Sequence, residues 1–330
     1  MRFAARFGSA LCLALCLALL TVPICGCGTM TNPWEGETAP KRVIVTIPAL
    51  ASFVYAVGGD QVAVKCLCLE HGPHEYKADM RDAAMFRQAD LFLSVGLTLD
   101  DSFADPLYRQ ARNPKLPHIK VGKKISPELL MELDHDHDHD HGDHHHHHHH
   151  GTYDPHLWLG IPEAIAIVEV IAKELSNIDE ANASLYEENA KMFVSQLNDL
   201  KAYGEKMLEG KKNKRIVSFH ESFGYFARGF GLKVAGVIEA APGDEPTPGH
   251  LAKIIKLCKD PNKPVALITV EPQYSAGSAK KVSEALEGKV PLVQVDPLET
   301  GSLQEIKTEG GQWYLKRMET NLKAIADKLP

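Results

Sequence analysis

From residue 42 onward, short β-branched runs alternate with helically periodic stretches, and the alternation occurs twice. Strand-like runs fall at 42–47, 62–69, 91–95 and 119–121, then at 216–219, 234–238, 265–270 and 292–295. Helical spacing falls at 51–57, 79–88, 101–112, 162–175, 221–230, 248–258, 278–286 and 303–328. Repeated strand–helix alternation predicts mostly parallel sheets covered on both faces, here with about four strands in each half. Between the halves, 180–210 has no strand character and no Gly or Pro before Gly204. Tyr186, Met192, Phe193, Leu197, Leu200 and Met207 recur there at three- and four-residue steps, which predicts a long amphipathic helix. At 1.5 Å per residue it would reach about 40 Å, long enough for a rigid spine between two α/β lobes. The simpler alternative makes it one helix of a single larger domain.

The first residues do not fit this pattern. Arg2 and Arg6 precede an apolar run at 11–20, too short to span a bilayer, as in an export signal. Ile24-Cys25-Gly26-Cys27 then resembles a bacterial lipobox, so cleavage before Cys27 and lipidation of Cys27 are expected; a plain cleaved signal is the alternative. The expected organisation is a signal at 1–26, a tether at 27–41, a first lobe at 42–179, a linker helix at 180–210 and a second lobe at 211–330. Of seven cysteines only Cys27, Cys66, Cys68 and Cys258 would survive cleavage, which gives no disulfide framework. Cys66 and Cys68 read as small apolar side chains on one face of a strand. The net charge of −7 and the lack of a basic patch argue against nucleic acid as a partner.

The chain has seventeen histidines, and eleven of them lie within 135–150. Outside that cluster, His74 follows the run at 62–69, His220 follows the run at 216–219, and His156 lies in Asp154-Pro155-His156-Leu157-Trp158. Asp296 follows the last strand-like run. In open α/β sheets, ligands bind beyond the carboxyl ends of strands, which is where His74, His220 and Asp296 fall. Three imidazoles and one carboxylate form a four-ligand set suited to Zn2+ and tolerable to other borderline divalent ions. Taken singly, each histidine has an ordinary reading as a cap or surface residue; it is the joint pattern that points to a metal. His71 is a possible substitute for His74, whereas His118 and His250 carry no claim.

An ordered series of motifs carries a family resemblance over about 42–325. It runs Gly72-Pro73-His74-Glu75-Tyr76, Gln88-Ala89-Asp90-Leu91, Gly96, Asp154-Pro155-His156-Leu157-Trp158 and His220-Glu221-Ser222-Phe223-Gly224-Tyr225-Phe226. It closes with Gly243-Asp244-Glu245-Pro246-Thr247-Pro248, Glu271-Pro272-Gln273-Tyr274 and Asp296-Pro297-Leu298. The set resembles the cluster A-I metal-binding lipoproteins of ABC transporters, zinc-uptake (ZnuA-type) branch. The resemblance implies two Rossmann-like lobes joined by a long helix, with the metal buried in the cleft between them. His74 and His156 would come from the first lobe, His220 and Asp296 from the second. It further implies a solute-binding protein rather than an enzyme, a monomer held outside the cytoplasm by its lipid, with a permease and its ATPase as partners. Manganese-selective relatives carry Glu at the third ligand position, so His220 favours zinc over manganese. One departure is Lys77-Ala78-Asp79, where relatives have a Pro-containing turn.

Residues 134–150 contain no apolar side chain and cannot bury a core, so a mobile loop is expected. Its histidines (His135, His137, His139, His141 and His144, His145, His146, His147, His148, His149, His150) are auxiliary metal ligands on this reading, gathering Zn2+ weakly or sensing it. Relatives of the zinc type carry a similar loop; a passive insert is the alternative. Two functions of other classes stay open: an exported zinc hydrolase using the three histidines and water with Glu221 nearby, and a surface metal buffer or adhesin. Closed four-ligand binding favours reversible capture, because catalytic zinc keeps one position for water. Imidazole protonation should weaken binding below about pH 6.

Overall fold

The computed structural model describes residues 32–133, 153–240 and 242–330. The expected signal at 1–26, Cys27 and the histidine-rich stretch 134–150 lie outside the described residues. Asn32–Glu35 belong to a unit of their own, 1–35. Within it the Asn32 Oδ1 accepts the Trp34 N–H at 3.0 Å.

The first half places β1 (Lys41–Val45), α1 (Pro48–Gly58), β2 (Val62–Cys66), α2 (Met80–Phe86), β3 (Leu91–Ser94), α3 (Asp101–Gln110) and β4 (His118–Lys120) in sequence. A helical hairpin follows, α4 (Ile161–Ile178) and α5 (Ala183–Met207). The second half is β5 (Arg215–Ser218), α6 (Gly224–Phe230), β6 (Lys233–Val237), α7 (Pro248–Cys258), β7 (Leu267–Val270), α8 (Gly277–Ala285), β8 (Leu292–Gln294), α9 (Leu303–Glu309) and α10 (Gly311–Ala326). The strands form two all-parallel sheets, ordered β2-β1-β3-β4 and β6-β5-β7-β8. These are the eight strands expected from sequence, with ends shifted by a few residues. The central strands are continuous apolar runs because both of their faces are covered: Leu91–Ser94 is buried throughout, and so is Ile216–Ser218. In each sheet the strand order reverses beside the first strand, between β1 and β3 and between β5 and β7. Loops leaving such a switch point open a crevice at the carboxyl ends of the strands.

Both sheets lie in one compact unit, 36–330, because helices bridge them. α5 packs on α4 and α1 of the first half and on α6 and α10 of the second; α10 in turn packs back onto α1. With 25 residues, α5 is about 37 Å long. It buries Tyr186, Phe193, Leu197 and Leu200, as the periodicity predicts. Met192, placed on the same face by sequence, is 55 % exposed: it sits one position from Phe193, about 100° round the helix.

The single helix expected at 303–328 is two. Gly310 has φ +55, a conformation that breaks the helix, and its carbonyl accepts the Ser52 hydroxyl from α1 at 2.7 Å. Gly311 then lets α10 lie against α1 and α5, since a Cβ there would stand 2.5 Å from the Phe193 ring and 2.9 Å from Ala56. Gly204 does the same where α5 meets α6 and α10: a Cβ would overlap Phe230 and come within 3.0 Å of Leu322. Gly204→Val should therefore destabilise the fold by about 1–3 kcal/mol through overpacking, seen as a lower thermal midpoint of the metal-free protein.

Cys66, Cys68 and Cys258 are buried free thiols. Burial pushes the Cys66 and Cys68 thiols far above their ordinary range, in keeping with their reading as small apolar side chains.

Candidate metal centre

Four segments deliver side chains to one point in the crevice. His74 comes from the loop after β2, His156 from the turn before α4, His220 from the end of β5, and Glu299 from the loop after β8. One ligand atom from each lies within 4.8 Å of the other three. Glu299 Oε1 stands 3.7 Å from His74 Nε2, 3.4 Å from His156 Nε2 and 3.8 Å from His220 Nε2. The edges of a zinc tetrahedron with N and O arms are about 3.3 Å, so a small contraction would close the set around an ion. His156, His220 and Glu299 are buried, and the His74 side chain is 14 % exposed. His74 therefore marks the side of the site nearest solvent.

The rings are oriented from behind. Asp154 Oδ1 accepts from the His156 Nδ1 at 2.8 Å and from the His156 backbone N–H at 2.9 Å. Glu271 Oε1 accepts from the His220 Nδ1 at 2.6 Å. A carboxylate on Nδ1 fixes the proton there and turns the Nε2 lone pair toward the site, the arrangement that metal-binding histidines use. The second pair follows directly from strand register. β5 and β7 flank the switch point with Val217 beside Ile268, and continuing that pairing sets His220 beside Glu271. The Nε2 atoms of His156 and His220 and the Oε1 of Glu299 are buried and have no hydrogen-bond partner. Buried polar atoms in folded proteins are almost always satisfied, so atoms left open at one point call for a ligand.

Burial works against charge on both His156 and Glu299, yet each stays ionised. For His156, the Asp154 and Glu299 carboxylates outweigh burial and push the imidazolium pKa up to about 10. For Glu299, burial is outweighed by the neighbouring His156 ring and the charges of the three imidazoles, which hold it down to about 2. The site thus stabilises a positive charge set among the histidines and the Glu299 carboxylate.

The structure brings together three of the four residues expected from sequence, His74, His156 and His220, but not Asp296. The Asp296 Oδ1 accepts the Leu298 N–H at 2.7 Å, and its Oδ2 lies 3.5 Å from Arg317 Nε. Its backbone is held by Asn321 of α10, whose Oδ1 accepts the Asp296 N–H at 2.8 Å and whose Nδ2 donates to the Asp296 carbonyl at 2.7 Å. Asp296 builds the loop. Leu298 then takes φ +61, which turns the chain so that Glu299, three residues after Asp296, faces the histidines. From the first half, Trp158 Nε1 donates to the Pro297 carbonyl at 2.7 Å and steadies the same loop. His71 is exposed and outside the cluster, His118 bonds Ser94, and His250 bonds the Val237 carbonyl. The sequence signal for Glu299 was only its place in the post-β8 loop, shared with Asp296.

The ends that flank the histidine-rich stretch are described and lie next to the site. Glu132 pairs with Tyr153 in an antiparallel bridge, and the Met131 carbonyl accepts the Asp154 N–H at 2.8 Å. Tyr225 of α6 fastens this stem: its hydroxyl donates to the Asp154 carbonyl at 2.9 Å and accepts the Met131 N–H at 3.0 Å.

The model of the ZnuA family, described as the periplasmic component A of the zinc-uptake complex, matches residues 43–328. The chain belongs to that family. The resemblance carried by the motifs is thereby borne out. Zinc-binding lipoprotein AdcA of Streptococcus pneumoniae (strain ATCC BAA-255 / R6) is 32 % identical over 312 residues, covering 94 % of this chain and 60 % of AdcA. The chain thus spans about three fifths of that relative's length. High-affinity zinc uptake system protein ZnuA of Bacillus subtilis is 27 % identical over 94 % of each chain. Among solved structures, the substrate-binding protein FpvC of Pseudomonas aeruginosa, in complex with Mn2+, is similar with a TM-score of 0.74 at 26 % identity, covering 88 % of this chain and 98 % of that one. The family's two-lobed α/β architecture is the one described above.

Proposed function

We propose that this chain is the extracytoplasmic solute-binding component of a zinc ABC importer, which captures Zn2+ between its lobes and hands it to a membrane permease driven by an ATPase. The observation that carries the reading is the convergence of three carboxylate- or cleft-positioned imidazoles and one carboxylate oxygen on a buried point. His74, His156, His220 and Glu299 are the ligands on this reading. Four protein ligands close a zinc sphere and leave no position for a reactive water, which favours capture over hydrolysis. No thiolate joins the set, so release need not break a zinc–sulfur bond. Names such as zinc-binding lipoprotein among the relatives support a lipid anchor at Cys27 and a place outside the cytoplasm. Among the described residues no helix is long and apolar enough to cross a membrane.

The manganese-bound relative gives a second reading, the same role with Mn2+ as cargo. Calorimetry with each ion separates the two: zinc should bind tightly at one equivalent and manganese more weakly, and the reverse order would sink the zinc reading. On this reading residues 42–179 and 211–330 form the two lobes, with the 180–210 spine between them. The histidine-rich stretch serves as a loose zinc collector on this proposal. Deleting 134–150 should then remove weak additional binding and retain the single tight equivalent. Loss of the tight equivalent would show that the stretch supplies ligands to it.

A further inference from the structure

Glu299 has two carboxylate oxygens, and the protein treats them differently. Oε1 faces the three Nε2 atoms at 3.4–3.8 Å. Oε2 accepts the Tyr274 hydroxyl at 3.2 Å. The Gly72 backbone closes over that contact: a Cβ at 72 would stand 2.5 Å from the Tyr274 oxygen and 3.1 Å from Oε2. The Glu299 side chain is wholly buried, so bulk water does not compete for Oε2.

A carboxylate can bind a cation through one oxygen or two, and the difference adds one ligand to the sphere. Zinc is satisfied by four ligands in a tetrahedron, whereas manganese favours six-coordinate, oxygen-rich surroundings. We propose that Tyr274 is a specificity-determining residue: by holding Oε2 it confines Glu299 to one-oxygen ligation, fixing a four-coordinate sphere that favours Zn2+ over Mn2+. Gly72 is part of the device, because only a residue without a side chain lets the His74 loop come close enough to keep the phenol on Oε2. The inference rests on the metal-binding reading given above.

The test measures Zn2+ and Mn2+ affinities of the full chain and of its Tyr274→Phe variant by competition calorimetry, with X-ray absorption on the zinc-loaded forms. Tyr274→Phe keeps the ring and frees Oε2. It should narrow the zinc-to-manganese affinity ratio by about tenfold or more, the scale of an outer-sphere partner, with manganese binding gaining in absolute terms. The absorption spectrum should change from four light-atom neighbours to five. Gly72→Ala, which crowds the phenol from the other side, should shift the ratio in the same direction. An unchanged ratio, or equal losses for both ions at constant coordination number, would overturn the inference alone. A wild-type chain without a tight zinc equivalent would overturn the metal-binding reading and the inference with it.

Discussion

Replacing Glu299 with Gln is expected to lower zinc affinity by more than about 100-fold, beyond the usual cost of losing an outer-sphere partner. The substitution keeps the shape and removes the only negative charge among the described residues that faces all three Nε2 atoms, at 3.4–3.8 Å. In a buried site that charge is not replaced by water. Asp296→Ala is the informative comparison. Asp296 is engaged with the Leu298 N–H and Arg317, so its loss should loosen the loop and lower the thermal midpoint while one equivalent of zinc still binds. Competition against a calibrated chelator distinguishes the two. A Glu299→Gln protein that binds like wild type, paired with an Asp296→Ala protein that does not, would restore Asp296 as the ligand.

The second large effect is on pH. With its pKa pushed up to about 10, His156 carries a proton at neutral pH before a cation binds. Zinc needs the Nε2 lone pair, so binding must expel that proton. The sign follows: below about pH 10 apparent affinity rises with pH by about tenfold per unit, and it flattens once His156 is already neutral. Between pH 9 and pH 6 the change is about 1000-fold, which extends the acid sensitivity expected of ordinary imidazoles well into the neutral range. Titrations at pH 8 in buffers of differing ionisation enthalpy should report about one proton released per zinc. Zero release would mean that Asp154 and Glu299 do not hold a proton on His156.

The two sheets were legible because buried parallel strands are unbroken apolar runs, which periodicity detects wherever they occur. The broken C-terminal helix was not, since Gly310 alone looks like a tolerated helical glycine; its φ and its bond from Ser52 come from a helix more than 250 residues earlier. The same contrast runs through the site. Histidines outside the cluster are few, so His74, His156 and His220 could be singled out by position. Carboxylates are common, with 43 Asp and Glu in the chain, and choosing among them requires side-chain directions. Glu299 rather than Asp296 faces the crevice because Leu298 is left-handed and Asn321 holds the preceding backbone, and neither is a local sequence pattern. Glu271 was likewise visible only as a motif letter until strand register set it behind His220.

The four candidate ligands are separated by 82, 64 and 79 positions in the chain, so no fragment shorter than 65 residues carries two of them. Assembling such a set means closing three long loops, whose entropy must be offset by packing before any ion is held tightly. A copy with its helices formed but its lobes unpacked would retain single imidazoles and no tight site. If the proposed function holds, cargo loading would also serve as an inspection step: only a correctly finished molecule would take up the ion, and misassembled copies would go unloaded.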